Sequence, residues 1–190
     1  AGCPKTVVGD IEENNIHIKK CIDAAAKKYS KLLVMPELCI TSYTCADLFL
    51  QKLLLTKSTD SIKDLCHYTK DIDMLIAIGA PLLYNNCLYN CAYILYSGKV
   101  LGIVPKSYIP NYTEFYEKRW FTEGFGIVDL SIDLPFQNDV PFGTNLLFKS
   151  DIYSFGFEIC EDLWVTVPPS SYLSMLGANI IGNLSASNEI

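Results

Sequence analysis

The chain has 190 residues, half of them apolar and 12% aromatic, which is enough for one substantial core and too few for two comfortable domains. Its net charge of −6 leaves no basic stripe to neutralise phosphates, and the basic pair Lys118-Arg119 directly follows Glu117, so nucleic acid is not an expected partner. No apolar run reaches the roughly 20 residues needed to span a bilayer, and the start, AGCPKTVVGDIEE, lacks the pattern of a signal peptide; no membrane partner is expected.

In chain order, Ile11, Ile18, Ile22, Ala25 and Ala26 recur at helical spacing, with Lys19, Lys20, Lys27 and Lys28 left for solvent and Asp10 as N-cap. A short buried strand follows over 31–35, closed by Pro36. Residues 46–55 and 58–70 read as two further helices. Two apolar strands, 74–83 and 88–96, flank the turn signal Tyr84-Asn85-Asn86, and Ser97-Gly98-Lys99 turns into a third strand over 100–104. The aromatic stretch 105–126 is irregular, with a short helix predicted around 114–119. The segment 130–144 carries Pro135, Pro141 and Gly143 and is read as loop. A strand over 151–159 leads to Cys160, Pro168-Pro169 opens a helix to Leu176, and 178–184 is the last strand. Helices alternating with strands, some of them in hairpins, imply a mixed sheet faced by helices in a single domain over 1–190.

The eight cysteines do not form a disulfide framework. There is no CxxC pair, several lie in apolar runs, and only His17 and His67 could join them around a metal. Reduced thiols in a cytoplasmic protein and no metal site are expected.

Three reactive side chains each end an apolar, strand-like run: Glu37 in LLVMPEL, Lys106 in VLGIVPKSY and Cys160 in YSFGFEICEDLW. Each alone fits an ordinary role, as a solvated carboxylate, a surface ammonium or a buried thiol. Together they make a mechanism for amide hydrolysis. Glu37 takes the thiol proton, Cys160 attacks the amide carbon, and Lys106 with the adjacent Glu161 backbone N–H stabilises the oxyanion. Glu37 then protonates departing ammonia and activates water against the thioester. A Cys-His pair is the competing scheme, but His17 falls mid-helix and His67 in a polar helix. No G-x-S-x-G elbow is present for a serine triad.

The order Glu, Lys, Cys within PEL, PK and EICED resembles the carbon–nitrogen hydrolase (nitrilase) superfamily. The longer words PELCITSYTCADLF, VPKSYIPNYTEFYEKRWF, EICEDLWVTVPPS and GANIIGNLSASNE are similar to the glutaminase domains of the glutamine-dependent NAD(+) synthetase family. The resemblance implies an α/β fold, a nitrilase-like four-layer αββα sandwich incomplete at both ends. It implies L-glutamine as substrate and ammonia passed to a C-terminal synthetase domain, absent from this chain, that amidates nicotinic acid adenine dinucleotide. ATP and Mg2+ would belong to that domain, with no cofactor on this segment. Glu37, Lys106 and Cys160 carry over as the triad. Tyr112 and Ser187 carry over as glutamine-contacting residues, and Glu117 as a second glutamate supporting the triad.

A homo-oligomer is expected, and the isolated segment is expected to be poorly active. Two positions depart from the family pattern: Ser42 stands where glycine is usual, and Thr166 replaces a proline. A strained loop is expected at Ser42 if that backbone needs positive φ. The alternatives are a free-standing amidase of the same superfamily and a non-catalytic interaction module on the same fold.

Overall fold

The computed structural model describes residues 1–187. Helix α1 (Ile11–Lys27) starts where the Asp10 carboxylate accepts a hydrogen bond from Glu13 N–H at 3.0 Å, and it buries Ile11, Ile18 and Ile22. Strand β1 (Leu32–Val34) then pairs in parallel with β2 (Leu75–Tyr84).

Between them lie a 3₁₀ turn, Ala46–Leu50, and one helix, α2 (Lys52–Tyr68), instead of two helices split near residue 57. Gln51, in extended conformation, is the true break. Ser58 and Ser61 carry the helix on because their small side chains are buried within it.

Strands β2, β3 (Cys87–Tyr96) and β4 (Lys99–Pro105) form an antiparallel meander. The Asn85-Asn86 turn has φ of 48° and 60°, the left-handed pair that matches strand twist in a two-residue hairpin. The segment read as loop is a hairpin, β7 (Leu130–Leu134) and β8 (Gln137–Phe142). Ile132, Leu134, Val140 and Phe142 are buried while their neighbours Ser131, Asp133, Asp139 and Pro141 are exposed. This two-residue period outweighs the two prolines and Gly143. Through Ile103 opposite Phe142 the hairpin extends the first sheet, whose order is β1-β2-β3-β4-β8-β7. The helix expected near 114–119 is instead a tiny hairpin, β5 (Asn111–Tyr112) with β6 (Phe115–Tyr116), followed by a 3₁₀ turn at Glu117–Arg119. Thr113, at φ 50°, reverses the chain there.

A second sheet has the order β11-β10-β9, from β9 (Phe148–Lys149), β10 (Ser154–Ile159) and β11 (Ile180–Leu184). Its Phe155, Phe157, Ile159 and Leu184 pack on Leu75, Ala77, Ala92, Ile94 and Val104 of the first sheet. The opposite face of the first sheet sends Ile76, Ile78, Cys91, Tyr93 and Leu95 into one core with α1 and α2. Helix α3 (Pro169–Met175) covers β10 so closely that a Cβ on Gly156 would lie 3.0 Å from Leu173. The layers are therefore helices, sheet, sheet, helix, the αββα arrangement expected. Each large side chain fully buried between layers contributes roughly 1.5–3 kcal/mol relative to exposure.

All eight cysteines are free thiols. Among the described residues, no helix is long and apolar enough to cross a membrane.

Candidate active site

The chain past β1 runs on against β2, with Met35 N–H donating to Ala77 C=O at 2.9 Å and Ile40 N–H to Gly79 C=O at 3.2 Å. Gly79 makes this approach possible: a Cβ there would sit 2.3 Å from Leu38 N and 2.5 Å from Pro36 O. Glu37 is thus fixed by backbone on both sides and turned into the interior, 2% exposed. Lys106 follows Pro105 at the same end of β4, its N–H bonded to Asn90 C=O at 2.8 Å, and is 1% exposed.

Cys160 arrives from the other sheet. It adopts φ 45°, an unfavourable conformation for a non-glycine residue, in the sharp turn from β10 into a 3₁₀ turn over Cys160–Leu163. The Glu161 N–H lies in the first turn of that segment, where amides have no partner within the helix. Asp162 clips the two sheets together at this end. Its carboxylate accepts from Ile159 N–H at 3.0 Å, Ser107 N–H at 3.2 Å and Tyr108 N–H at 2.9 Å. Burial pushes its carboxyl up to about 7, against the pull of those three donors.

At the centre, Lys106 Nζ lies 2.7 Å from Glu37 Oε1 and 2.7 Å from Glu117 Oε1. Asn90 Nδ2 donates to Glu37 Oε1 at 2.7 Å and to Glu117 Oε2 at 3.5 Å, and the Tyr43 hydroxyl donates to Glu117 Oε1 at 2.7 Å. Glu37 Oε2 is buried and accepts no hydrogen bond from the described residues.

Burial raises the Glu37 carboxyl above its ordinary value, Lys106 opposes this, and Glu117 adds to it. Burial would lower the Lys106 ammonium, but Glu37 and Glu117 override it and hold the group charged. Burial and the Glu37 charge both raise the Cys160 thiol, against Ser185, Lys106 and Ser187. Cys160 is therefore held as a thiol at neutral pH. Burial and the Glu117 charge keep the Tyr43 phenol protonated as a donor.

Nearer the surface, Cys160 Sγ is 3.7 Å from Ser187 Oγ, which is 2.8 Å from Ser185 Oγ. Tyr112 is half exposed, donates its hydroxyl to Glu161 Oε2 at 2.6 Å and is pushed up to about 12, chiefly by that bond. All seven residues singled out from the sequence thus fall at one end of the sandwich. Glu37, Lys106 and Glu117 are in direct contact, and Cys160 lies within reach of the Glu37 and Lys106 charges. Asn188 and Glu189, the end of the word NLSASNE, lie outside the described residues.

Asn90, Tyr43 and Asp162 are the site residues that the sequence reading missed. Asn90 had a signal, as the one strongly polar residue inside the apolar run of β3. Ser42 has φ 72° and is buried, so serine does stand in a left-handed position behind Glu37. Thr166 is exposed.

Two surface grooves do not include Glu37, Lys106 or Cys160 in their linings. One, of about 480 Å³, opens between Lys31, Tyr96 and Tyr153, and the other, of about 420 Å³, lies beside Tyr108 and α3. Reactive groups, more than concavity, mark the site. Among the described residues, no group of three or more His, Cys, Asp or Glu side chains is placed to hold a metal ion.

The family pattern described as carbon-nitrogen hydrolase matches residues 1–189, and the chain belongs to that family. It is 38% identical over 185 residues to a glutamine-dependent NAD(+) synthetase of Mycobacterium tuberculosis (strain ATCC 25618 / H37Rv), covering 96% of this chain and 27% of the relative. It is 32% identical over 180 residues to the protein of the same name from Aquifex aeolicus (strain VF5), covering 95% and 28%. The crystal structure of a glutamine-dependent NAD(+) synthetase from Cytophaga hutchinsonii superimposes with a TM-score of 0.83 at 29% identity, covering 98% of this chain and 30% of that one. The chain thus spans little more than a quarter of the length of the curated relatives it matches.

Proposed function

We propose that this chain is a glutamine amidohydrolase module that supplies ammonia to a synthetase domain. That domain amidates nicotinic acid adenine dinucleotide to NAD with ATP and Mg2+. The observation that carries the reading is the buried Lys106 ammonium, held between Glu37 and Glu117, with the Glu37 and Lys106 charges both acting on the Cys160 thiol. The names of the relatives supply the substrate and the destination of the ammonia.

In this reading Glu37 takes the Cys160 proton as sulfur attacks the side-chain amide carbon of glutamine. The carbonyl oxygen gains a full negative charge, met by the Lys106 ammonium and the Glu161 N–H. Collapse of that intermediate breaks the C–N bond, and Glu37 returns its proton to the departing nitrogen, giving ammonia and a thioester. Water then loses a proton to Glu37 and attacks the thioester carbon, which expels the Cys160 thiolate. Glu37 returns the proton to sulfur, and the products are glutamate and ammonia. Glu117 keeps Lys106 charged and in place, while Tyr112 and Ser187 line the entrance where the amino acid end of glutamine would rest.

The test is Cys160→Ala in the full natural protein. Glutamine-dependent NAD formation should vanish while formation from free ammonium persists. Loss of both, or survival of both, contradicts the reading.

A further inference from the structure

Glu37 Oε1 receives two short hydrogen bonds, from Lys106 Nζ and from Asn90 Nδ2, each at 2.7 Å. A carboxylate oxygen has about two lone-pair directions, so this atom is saturated. The other oxygen, Oε2, is equally buried and accepts nothing from the described residues. The two oxygens of one carboxylate are thus in different chemical states. Lys106 alone cannot close off Oε1, because it supplies only one of the two hydrogen bonds that this atom accepts.

Asn90 supplies the second. It lies within β3, completely buried, and its backbone C=O holds the Lys106 N–H at 2.8 Å. Its planar amide then reaches the acid with the nitrogen end, since only a donor suits Glu37 and Glu117 together.

We infer that Asn90 is the positioning residue that pins Glu37 Oε1 and thereby makes Oε2 the single oxygen that exchanges protons with Cys160. This rests on the reading of Glu37 as the base. Without the Asn90 donor, Oε1 regains a lone pair, the carboxylate turns about its last torsion, and the base oxygen is no longer held towards the thiol. Substrate binding, which falls to residues nearer the surface, is untouched.

The test uses the full natural protein with Asn90→Ala, which keeps the backbone C=O and adds no charge, and with Asn90→Asp, which replaces the donor by an acceptor. The first readout needs no glutamine: the rate of Cys160 alkylation by iodoacetamide as a function of pH, followed by peptide mass spectrometry beside the other cysteines. The second is kcat and KM for glutamine, and the third is the melting temperature.

Both variants should alkylate Cys160 at least about 10-fold more slowly at neutral pH. Asn90→Asp should also move the midpoint of the alkylation profile upward by about one pH unit, because a second acid beside Glu37 resists its ionisation. kcat should fall about 10²-fold, within the range that general-base placement supplies, with KM within about 3-fold of the parent. Wild-type alkylation profiles in folded variants overturn the inference. A variant that fails to fold marks Asn90 as structural and overturns it equally. Failure of the glutaminase reading would show separately, as a parent protein without glutamine turnover whose Cys160 still alkylates in an Asn90-dependent way.

Discussion

Asp162 accepts a hydrogen bond from the Tyr108 backbone N–H at 2.9 Å, across 54 residues of chain and from one sheet to the other. Together with the Ser107 and Ile159 amides, this contact sets the distance between the Lys106 and Cys160 turns. Without it, Cys160 and Lys106 belong to separate layers.

Asp162→Ala should therefore cost stability and activity together. It leaves three amide donors without their acceptor, at about 1–3 kcal/mol for each that stays buried. A loss of about 3 kcal/mol corresponds to a fall of roughly 6–12 °C in melting temperature for a domain of this size. Calorimetry of the variant beside the parent checks the first part and glutamine turnover the second. Unchanged melting would mean that the clip is redundant.

Gly79→Ala should be far more damaging than its size suggests. The added Cβ would meet the Leu38 and Pro36 backbone at 2.3 and 2.5 Å, and neither can yield without moving Glu37. Overpacking of this kind costs about 1–3 kcal/mol or more. The variant should lose activity even where circular dichroism shows it folded, and full activity would disprove the role given to the glycine.

The pH dependence of kcat should be one-sided. In the proposed mechanism Glu37 is the base, and because its carboxyl is raised above its ordinary 4.5, activity should fall as pH drops at a pH higher than a free glutamate would predict. Lys106 is held above its ordinary 10.5 by the two carboxylates, so it stays charged at every pH below that and sets no alkaline limb there. The same sign governs stability. The Lys106 contribution is fully present below 10.5 and is lost only as pH rises through the folded value. A rate profile with an alkaline limb near neutrality that vanishes in Lys106→Met would contradict this assignment.

Ser42→Gly should stabilise the protein slightly. Serine at φ 72° costs about 1–2 kcal/mol, and replacement by glycine gives back about 0.5–1 kcal/mol through the freer unfolded chain. The net gain of about 0.5–1 kcal/mol should raise the melting temperature by roughly 1–4 °C. A lower melting temperature would show that the serine side chain contributes more than its backbone costs.

Much of this architecture is legible in the sequence because its signals are local. Asp10 before an apolar 3.6 period gives α1, and Asn85-Asn86 between apolar runs gives the β2–β3 hairpin. Glu37 and Lys106 stand out because each follows a proline that closes a strand. Other features depend on partners far away in sequence. The β7–β8 hairpin shows only a faint two-residue period beneath its prolines, and its place in the first sheet depends on β8 meeting β4. Asn90 is a polar residue in an apolar strand whose purpose depends on two carboxylates 53 and 27 residues away. Asp162 sits in the quoted word EICED, but its three amide partners are visible only once the two sheets meet.

The most direct test of the central claim is covalent labelling of the full natural protein with an electrophilic diazoketone analogue of glutamine, mapped by mass spectrometry. The account predicts one adduct, on Cys160, that glutamine suppresses and that Glu37→Gln and Lys106→Met each abolish, while exposed Cys3 stays unmodified. Labelling spread over several cysteines, or a Cys160 adduct that forms equally well without Glu37, would contradict it.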